Sequence, residues 1–181
     1  RGGQGGPGAQ APPVPRRMPP TEVPEAAAAA WREATPRLPT RTCPGLPLGT
    51  TTVIVRNIPA RYTQDRLLHE WVPDGSFNFL SLPFSLSEGH PLGYAFVNFV
   101  SHEAALNFQA RWHGHFFGRK RPLHITCAPV QGYHANLRKV GKRVLEIITN
   151  AGLLPATFRG TTRLNTREEV LALARPARTA A

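Results

Sequence analysis

Apolar and polar residues alternate along four short segments of the chain, and each segment is followed by a proline or by a polar capping residue. The segments are residues 52–58, 77–82, 93–100 and 123–128, and β-branched and aromatic residues are frequent in them. Alternation with a period of two is typical of a strand that buries one face. The pattern therefore predicts four strands within residues 50–130.

Two segments between these strands have apolar residues at helical spacing. We expect one helix to begin at Gln64 after the N-cap Thr63, and another to follow the N-cap Ser101 and end at Gly114. The order is then strand, helix, strand, strand, helix, strand. This order predicts an α+β fold, the ferredoxin-like βαββαβ sandwich, in which a four-stranded antiparallel sheet has two helices on one face and leaves the other face open.

The segments outside this unit have a different composition. Residues 1–49 are rich in Pro, Gly and Ala and have few large apolar side chains, so we expect a disordered leader. Residues 131–152 predict a basic amphipathic helical extension, which ends near Gly152. We expect residues 153–181 to be a mostly disordered tail.

The alternation also predicts which side chains the open sheet face displays. Tyr94, Phe96 and Asn98 point away from the helices on the third strand. The other strands add five residues to that face: Ile54, Arg56, Phe79, His124 and Thr126. Aromatic rings on an open face suit stacked nucleobases, which contribute about 1–3 kcal/mol each. For Phe79 an alternative stays open, namely packing under the sheet or a loop.

Charge supports a polyanionic partner. The chain has 22 Lys and Arg against 11 Asp and Glu, a net charge of +11, but residues 51–130 contribute only +2 and residues 131–181 contribute +6. On the helical extension we expect one apolar stripe and an opposite basic stripe formed by Arg138, Lys139, Lys142 and Arg143. Our hypothesis is that the apolar stripe (Leu137, Val140, Val144, Ile147 and Ile148) packs on the domain while the basic stripe faces phosphate. A solvated face, a membrane-surface element and a protein-binding element are the alternatives.

A second basic group precedes the fourth strand. Lys120 and Arg121 lie in the loop that enters this strand, close to the predicted open face. We expect them to contact phosphate, and a solvated hairpin loop is the alternative.

Two motifs resemble those of a known family. Residues 93–99 match seven of the eight positions of the ribonucleoprotein octamer, and residues 53–58 match its partner hexamer in the first strand. Leu92 replaces the usual cation of the octamer, and Ile54 replaces the usual aromatic residue of the hexamer. The segments 51–63, 79–83 and 130–132 further resemble the Mei-two-like carboxy-terminal RNA recognition motif. This resemblance implies single-stranded RNA binding and a role in post-transcriptional regulation.

Other classes of function find little support in the sequence. We find no phosphate-binding glycine loop, no nucleophile motif and no metal-ligand spacing among the histidines and two cysteines, and we expect no catalysis, no cofactor and no metal. The alternative function is a protein-interaction module of the same fold with weak or no RNA binding. We expect a monomer in the nucleus or cytoplasm without membrane attachment, and protein partners are left open.

Overall fold

The structure, a computed structural model, describes residues 45–118, 121–140 and 142–174, except for the side chains of Lys142 and Arg143. Its strands are β1 (Thr52–Arg56), β2 (Phe77–Ser81), β3 (Phe84–Ser85), β4 (His90–Pro91), β5 (Tyr94–Phe99), β6 (His124–Cys127), β7 (Ala156–Arg159) and β8 (Thr162–Leu164). Its helices are α1 (Gln64–Glu70), α2 (His102–Trp112), α3 (Tyr133–Lys139), α4 (Lys142–Asn150) and α5 (Thr166–Leu173).

The main sheet has the strand order β6-β1-β5-β2-β7-β8, and every neighbouring pair is antiparallel. Its first four strands are the predicted ones, and α1 and α2 connect them in the predicted order, so the ferredoxin-like βαββαβ fold is confirmed. The predicted number of strands is wrong, because the β7-β8 hairpin pairs with the edge of β2 and extends the sheet to six strands. The short strands β3 and β4 form a separate hairpin.

Both predicted helix starts are confirmed by side-chain caps. The Thr63 hydroxyl accepts a hydrogen bond from the Arg66 amide at 3.2 Å, and the Ser101 hydroxyl accepts one from the Ala104 amide at 3.1 Å. Each cap satisfies an amide that has no partner within its helix.

The main hydrophobic core lies between the sheet and helices α1 and α2. The residues predicted to face these helices are buried there, among them Val53, Val55, Leu80, Ala95, Val97 and Ile125. A β-bulge between Phe77 and Phe79 interrupts the alternation on β2, so Phe77 joins this core while Phe79 lies on the opposite sheet face. Leu46 is also in this core, so the predicted leader is wrong for residues 45–49, and residues 1–44 lie outside the described part of the chain.

The C-terminal segment differs from both predictions made for it. The extension forms two helices instead of one. Helix α3 ends with its C-cap at Val140, and α4 begins at Lys142. On α4 the buried side chain is Leu145, whereas Val144 and Ile147 are 49% and 53% exposed, so the predicted single apolar stripe is wrong. The expected disorder after residue 152 is wrong for residues 156–173, where β7, β8 and α5 form.

A second hydrophobic cluster lies on the other face of the sheet. Phe79 on β2 is buried together with Leu137 of α3, Leu145 of α4 and Val170 of α5. Helices α3 and α4 both contact α5. The sheet is therefore covered by helices on both faces, but on this second face the cover reaches only part of the surface.

Candidate nucleic-acid interface

The second sheet face is divided into a covered end and an open end. The covered end consists of Thr52, Phe79, Asn98 and Thr157, all of which are at most 3% exposed. The open end consists of Arg56, Tyr94, Phe96, His124 and Thr126, which are exposed or half-buried. The division follows from the position of the C-terminal helices: Asn136 of α3 donates a hydrogen bond to Thr52, and Leu137 of α3 packs with Phe79.

Polar contacts hold α3 on the covered end. The Thr52 hydroxyl donates to Asn98 Oδ1 at 2.7 Å and accepts hydrogen bonds from the Gly132 amide at 3.0 Å and from Asn136 Nδ2 at 3.1 Å. Asn98 Nδ2 donates in turn to Asn78 Oδ1 at 2.8 Å. The buried polar groups of this network therefore have hydrogen-bond partners within it. A buried polar network stabilises a fold only when its groups are paired in this way.

Helix α5 is fixed to the same end by hydroxyl groups. The hydroxyls of Thr157 and Thr166 lie 2.9 Å apart, and the Tyr133 hydroxyl donates to Glu169 Oε2 at 3.0 Å. Burial raises the pKa of Tyr133 to about 12, and the hydrogen bond to Glu169 and its negative charge act in the same direction. Tyr133 therefore remains a neutral donor, which links α3 to α5 at physiological pH.

The open end presents two aromatic rings. Tyr94 and Phe96 are both half-buried, and their ring centroids lie 5.6 Å apart with an interplanar angle of 82°. Phe96 also packs against the cluster around Phe79. Because the rings are perpendicular, two bases stacked on them would not be parallel to each other. Phe96 packs on the second face and the intervening Ala95 lies in the main core, so the predicted orientation of both rings toward the second face is confirmed.

Polar residues surround these rings. Arg56 pairs with Tyr94 on β5 and with His124 on β6, and its Nη1 donates to the Thr126 hydroxyl at 3.2 Å. The pKa of His124 is lowered by partial burial first, and then by the charges of His113 and Arg56. The open end thus offers one guanidinium, one hydroxyl and a neutral imidazole next to the rings, which are groups that contact phosphates and base edges.

Three residues predicted to contact RNA are covered instead. Asn98 is 2% exposed and engaged in the network with Thr52, and Phe79 is 3% exposed beneath the C-terminal helices. Ile54 is 7% exposed, because it lies between its neighbours Phe96 and Thr126 on the adjacent strands. The face assignment of these residues is correct, but the predicted accessibility of Ile54 and Asn98 is wrong. For Phe79 the structure shows burial, which is close to the alternative of packing under other elements that the sequence left open.

The predicted basic residues fall into two groups. Arg121, Arg138 and Lys139 are exposed. Lys120 lies outside the described residues, and so do the side chains of Lys142 and Arg143. Of the exposed group, Lys139 borders a cavity on the second sheet face together with Phe96. The contacts of these cations with phosphate remain a prediction.

Sequence reasoning missed Gln131 as a positioning residue. Its Oε1 accepts hydrogen bonds from the Thr51 and Thr52 amides, both at 2.8 Å, and its Nε2 donates to the carbonyls of Thr52 and Ala128 at 2.8 and 2.7 Å. The segment 130–132 carries part of the family resemblance, but a side chain that bridges to β1 leaves no periodic signal. Gln131 ties the start of α3 to the sheet.

Other kinds of site find few candidates in the described ranges. No three His, Cys, Asp or Glu side chains among the described residues are grouped as metal ligands. The helices that the structure describes also include none that is long and apolar enough to span a bilayer.

The strand order and the aromatic residues of β5 define an RNA recognition motif domain. The family model described as RNA recognition motif 2 matches residues 50–140, which are 91 of the 181 residues. The chain therefore belongs to the RNA recognition motif 2 family, and membership supports RNA as the general class of ligand. The match includes α3, so the first covering helix lies within the family's domain.

The curated relatives confirm the Mei-two-like resemblance. Protein terminal ear1 of Zea mays is 31% identical over an alignment of 134 residues that covers 62% of this chain and 19% of that protein. Protein MEI2-like 5 of Arabidopsis thaliana is 31% identical over an alignment of 90 residues that covers 47% of this chain and 11% of that protein. The chain thus spans less than a fifth of the length of these relatives.

Solved RNA recognition motif domains align with part of the chain. The second such domain of yeast poly(U)-binding protein Pub1 aligns with a TM-score of 0.40 and 23% identity, covering 46% of this chain and 100% of that chain. The Rna15 domain with bound RNA (GU) aligns with a TM-score of 0.40 and 23% identity, covering 45% of this chain and 86% of that chain. Both alignments cover less than half of this chain.

Proposed function

We propose that this chain binds single-stranded RNA through the open end of the second sheet face, as part of post-transcriptional regulation. The observation that carries the proposal is the pair of rings Tyr94 and Phe96, which lie beside the exposed cation Arg56 on the part of the face that the helices leave free. Accessible rings next to a cation are suited to stack bases and neutralise a phosphate.

The double substitution Tyr94→Ala and Phe96→Ala tests this proposal. We expect it to weaken binding of a single-stranded RNA pool by more than tenfold, since each stacked base contributes about 1–3 kcal/mol. Fluorescence anisotropy measures the affinity, and circular dichroism verifies the fold.

The matched control is Phe116→Ala, which removes a ring that is 52% exposed but is not part of the sheet. We expect this variant to bind RNA like the parent. Equal binding by the parent and the double variant would refute the sheet-face proposal.

A second candidate function is peptide binding on the helix side of the domain. A cavity of about 470 Å³ lies there, bordered by α1 and α2 and lined by Trp71, Phe108, Arg111 and three acids, Glu70, Asp74 and Glu103. Trp71 Nε1 is buried and has no hydrogen-bond partner within the described residues. Selection from a displayed peptide library, repeated with Asn107→Trp at the cavity lining, tests this alternative. Peptides that bind the parent and not the variant would support it.

A further inference from the structure

We propose that the cleft between the sheet and α3 binds a single nucleobase of the RNA, with Lys139 contacting an adjacent phosphate. This inference rests on the proposed function and adds contacts from α3 and from the segment before it, which lie outside the strand motifs. The site is a cavity of about 300 Å³ at the boundary between the open and the covered ends of the face.

The walls of the cavity come from two different parts of the chain. Phe96 and Ser81 line it from neighbouring strands of the sheet, and Lys139 and Val140 line it from the C-terminal end of α3. Pro129 and Val130 line it from the segment that joins β6 to α3. The helical wall is fixed, because Gln131 and Asn136 anchor α3 to β1 through hydrogen bonds. The cavity is therefore a preformed feature of the domain.

The size and lining of the cavity suit one heterocycle. Ligand cavities begin at about 300 Å³, so this one is too small for several stacked nucleotides. Phe96, Val130 and Val140 provide apolar surface for the faces of a base. Ser81 brings a hydroxyl, which can donate to or accept from a base edge.

The arrangement of the rings supports a bend of the RNA at this point. Tyr94 and Phe96 are perpendicular, so a base on Phe96 turns away from the plane of a base on Tyr94. That turn directs the base on the Phe96 side toward the cavity that Phe96 lines.

Lys139 supplies a charge at the same place. It is exposed and lines the cavity, whereas its exposed neighbour Arg138 does not line it. A base inside the cavity has a phosphate at its mouth, where the ammonium of Lys139 can neutralise it. The two adjacent cations therefore differ in their expected contribution to RNA binding, which provides a matched pair for a test.

The test compares Val140→Trp, Lys139→Ala and Arg138→Ala by fluorescence anisotropy with four labelled ten-nucleotide homopolymeric RNAs. Val140→Trp fills the cavity, and we expect it to weaken the tightest complex about tenfold, the effect of losing one bound base. We expect Lys139→Ala to weaken binding about threefold and to reduce the salt slope by about 0.7, the value for one phosphate contact on a single strand. We expect Arg138→Ala to change both quantities less than Lys139→Ala does, because Arg138 does not line the cavity.

A second measurement uses the parent protein and therefore does not depend on correct folding of the Val140→Trp variant. In the parent protein, a base inside the cavity shifts the methyl NMR signals of Val130 and Val140 upfield through its ring current. Parent-like affinity of both Val140→Trp and Lys139→Ala, together with unshifted methyl signals, would overturn the inference while RNA binding that depends on Tyr94 and Phe96 stands. Absence of RNA binding by the parent would overturn the proposed function as well. Methyl shifts caused by peptides and not by RNA would assign the cavity to a protein ligand.

Discussion

At the scale of single residues, the structure shows the consequences of the two departures from the ribonucleoprotein motifs, at Leu92 and Ile54. Leu92 is 44% exposed and carries no charge where the octamer usually has a cation, but Arg56 is an exposed cation on the same sheet face as Tyr94. Ile54 is buried between strands, so it supports Phe96 from below and offers no stacking surface of its own. We therefore expect RNA binding at the open end to depend on Tyr94, Phe96 and Arg56.

We expect RNA affinity to depend on pH through His124. Its pKa lies below the ordinary value of 6.5, chiefly because of partial burial and then because of His113 and Arg56. RNA phosphates favour the protonated imidazole, so we expect affinity to rise as the pH falls from 7.5 through this lowered pKa. The gain is about threefold, which is typical of one exposed charge pair. Anisotropy titrations between pH 7.5 and 5 measure it.

His124→Gln is the control for this pH dependence. We expect the variant to lose the part of the increase in affinity that belongs to His124. Identical pH profiles of the parent and the variant would show that His124 does not face the RNA.

Side-chain orientation was predictable from the sequence, but accessibility was not. The alternation on β1, β5 and β6 assigns Arg56, Tyr94 and His124 to the second face, because the period of a strand fixes the face of every residue. The burial of Asn98 and Phe79 depends on α3, α4 and α5, which the alternation within the strands does not reveal.

At the scale of elements, α3 determines the form of the interface. It begins directly after Gly132, whose φ of 89° is readily adopted by glycine, and its position on the sheet is set by Gln131 and Asn136. The helix covers Thr52 on one side and forms a wall of the cavity beside Phe96 on the other. A shift of α3 would change both the stability of the domain and the shape of the site.

Gln131→Ala tests this anchoring. The substitution removes four hydrogen bonds to the backbone, and we expect it to reduce the free energy of unfolding by about 2–6 kcal/mol, since each contributes roughly 0.5–1.5 kcal/mol net. Urea denaturation measures the change. His134→Ala, which alters an exposed residue of the same helix, is the control and should lie within about 0.5 kcal/mol of the parent. A similar loss in both variants would contradict a specific role of Gln131.

The sequence contains turn and helix-cap residues for the C-terminal elements, although the overall composition of this segment does not indicate them. Gly160 and Thr161 form a two-residue connection between β7 and β8, and the Gly160 φ of 60° suits such a turn. Asn165 caps α5 by accepting from the Glu168 amide at 3.4 Å, while its own amide donates to Glu168 Oε1 at 2.8 Å. The strands were missed because they are only four and three residues long and have polar residues at most positions.

At the scale of the whole molecule, the excess positive charge and the covering elements belong to the same part of the chain. Residues 131–181 contribute +6 of the net charge of +11, and the described part of this segment covers one end of the second sheet face. The segment therefore limits which part of the sheet is accessible and brings cations such as Lys139 to its border. We infer a domain that reads a short stretch of RNA at one end of its sheet.

The most direct test of this account is an NMR titration of the isotope-labelled chain with single-stranded RNA. We predict that the largest amide and side-chain shifts occur at the open end, at Arg56, Tyr94, Phe96, His124 and Thr126, and that they extend to Lys139. The covered residues Thr52, Asn98 and Thr157 should shift little. Largest shifts on the helix side, at Glu70, Trp71 and Arg111, or beneath the C-terminal helices would contradict the account.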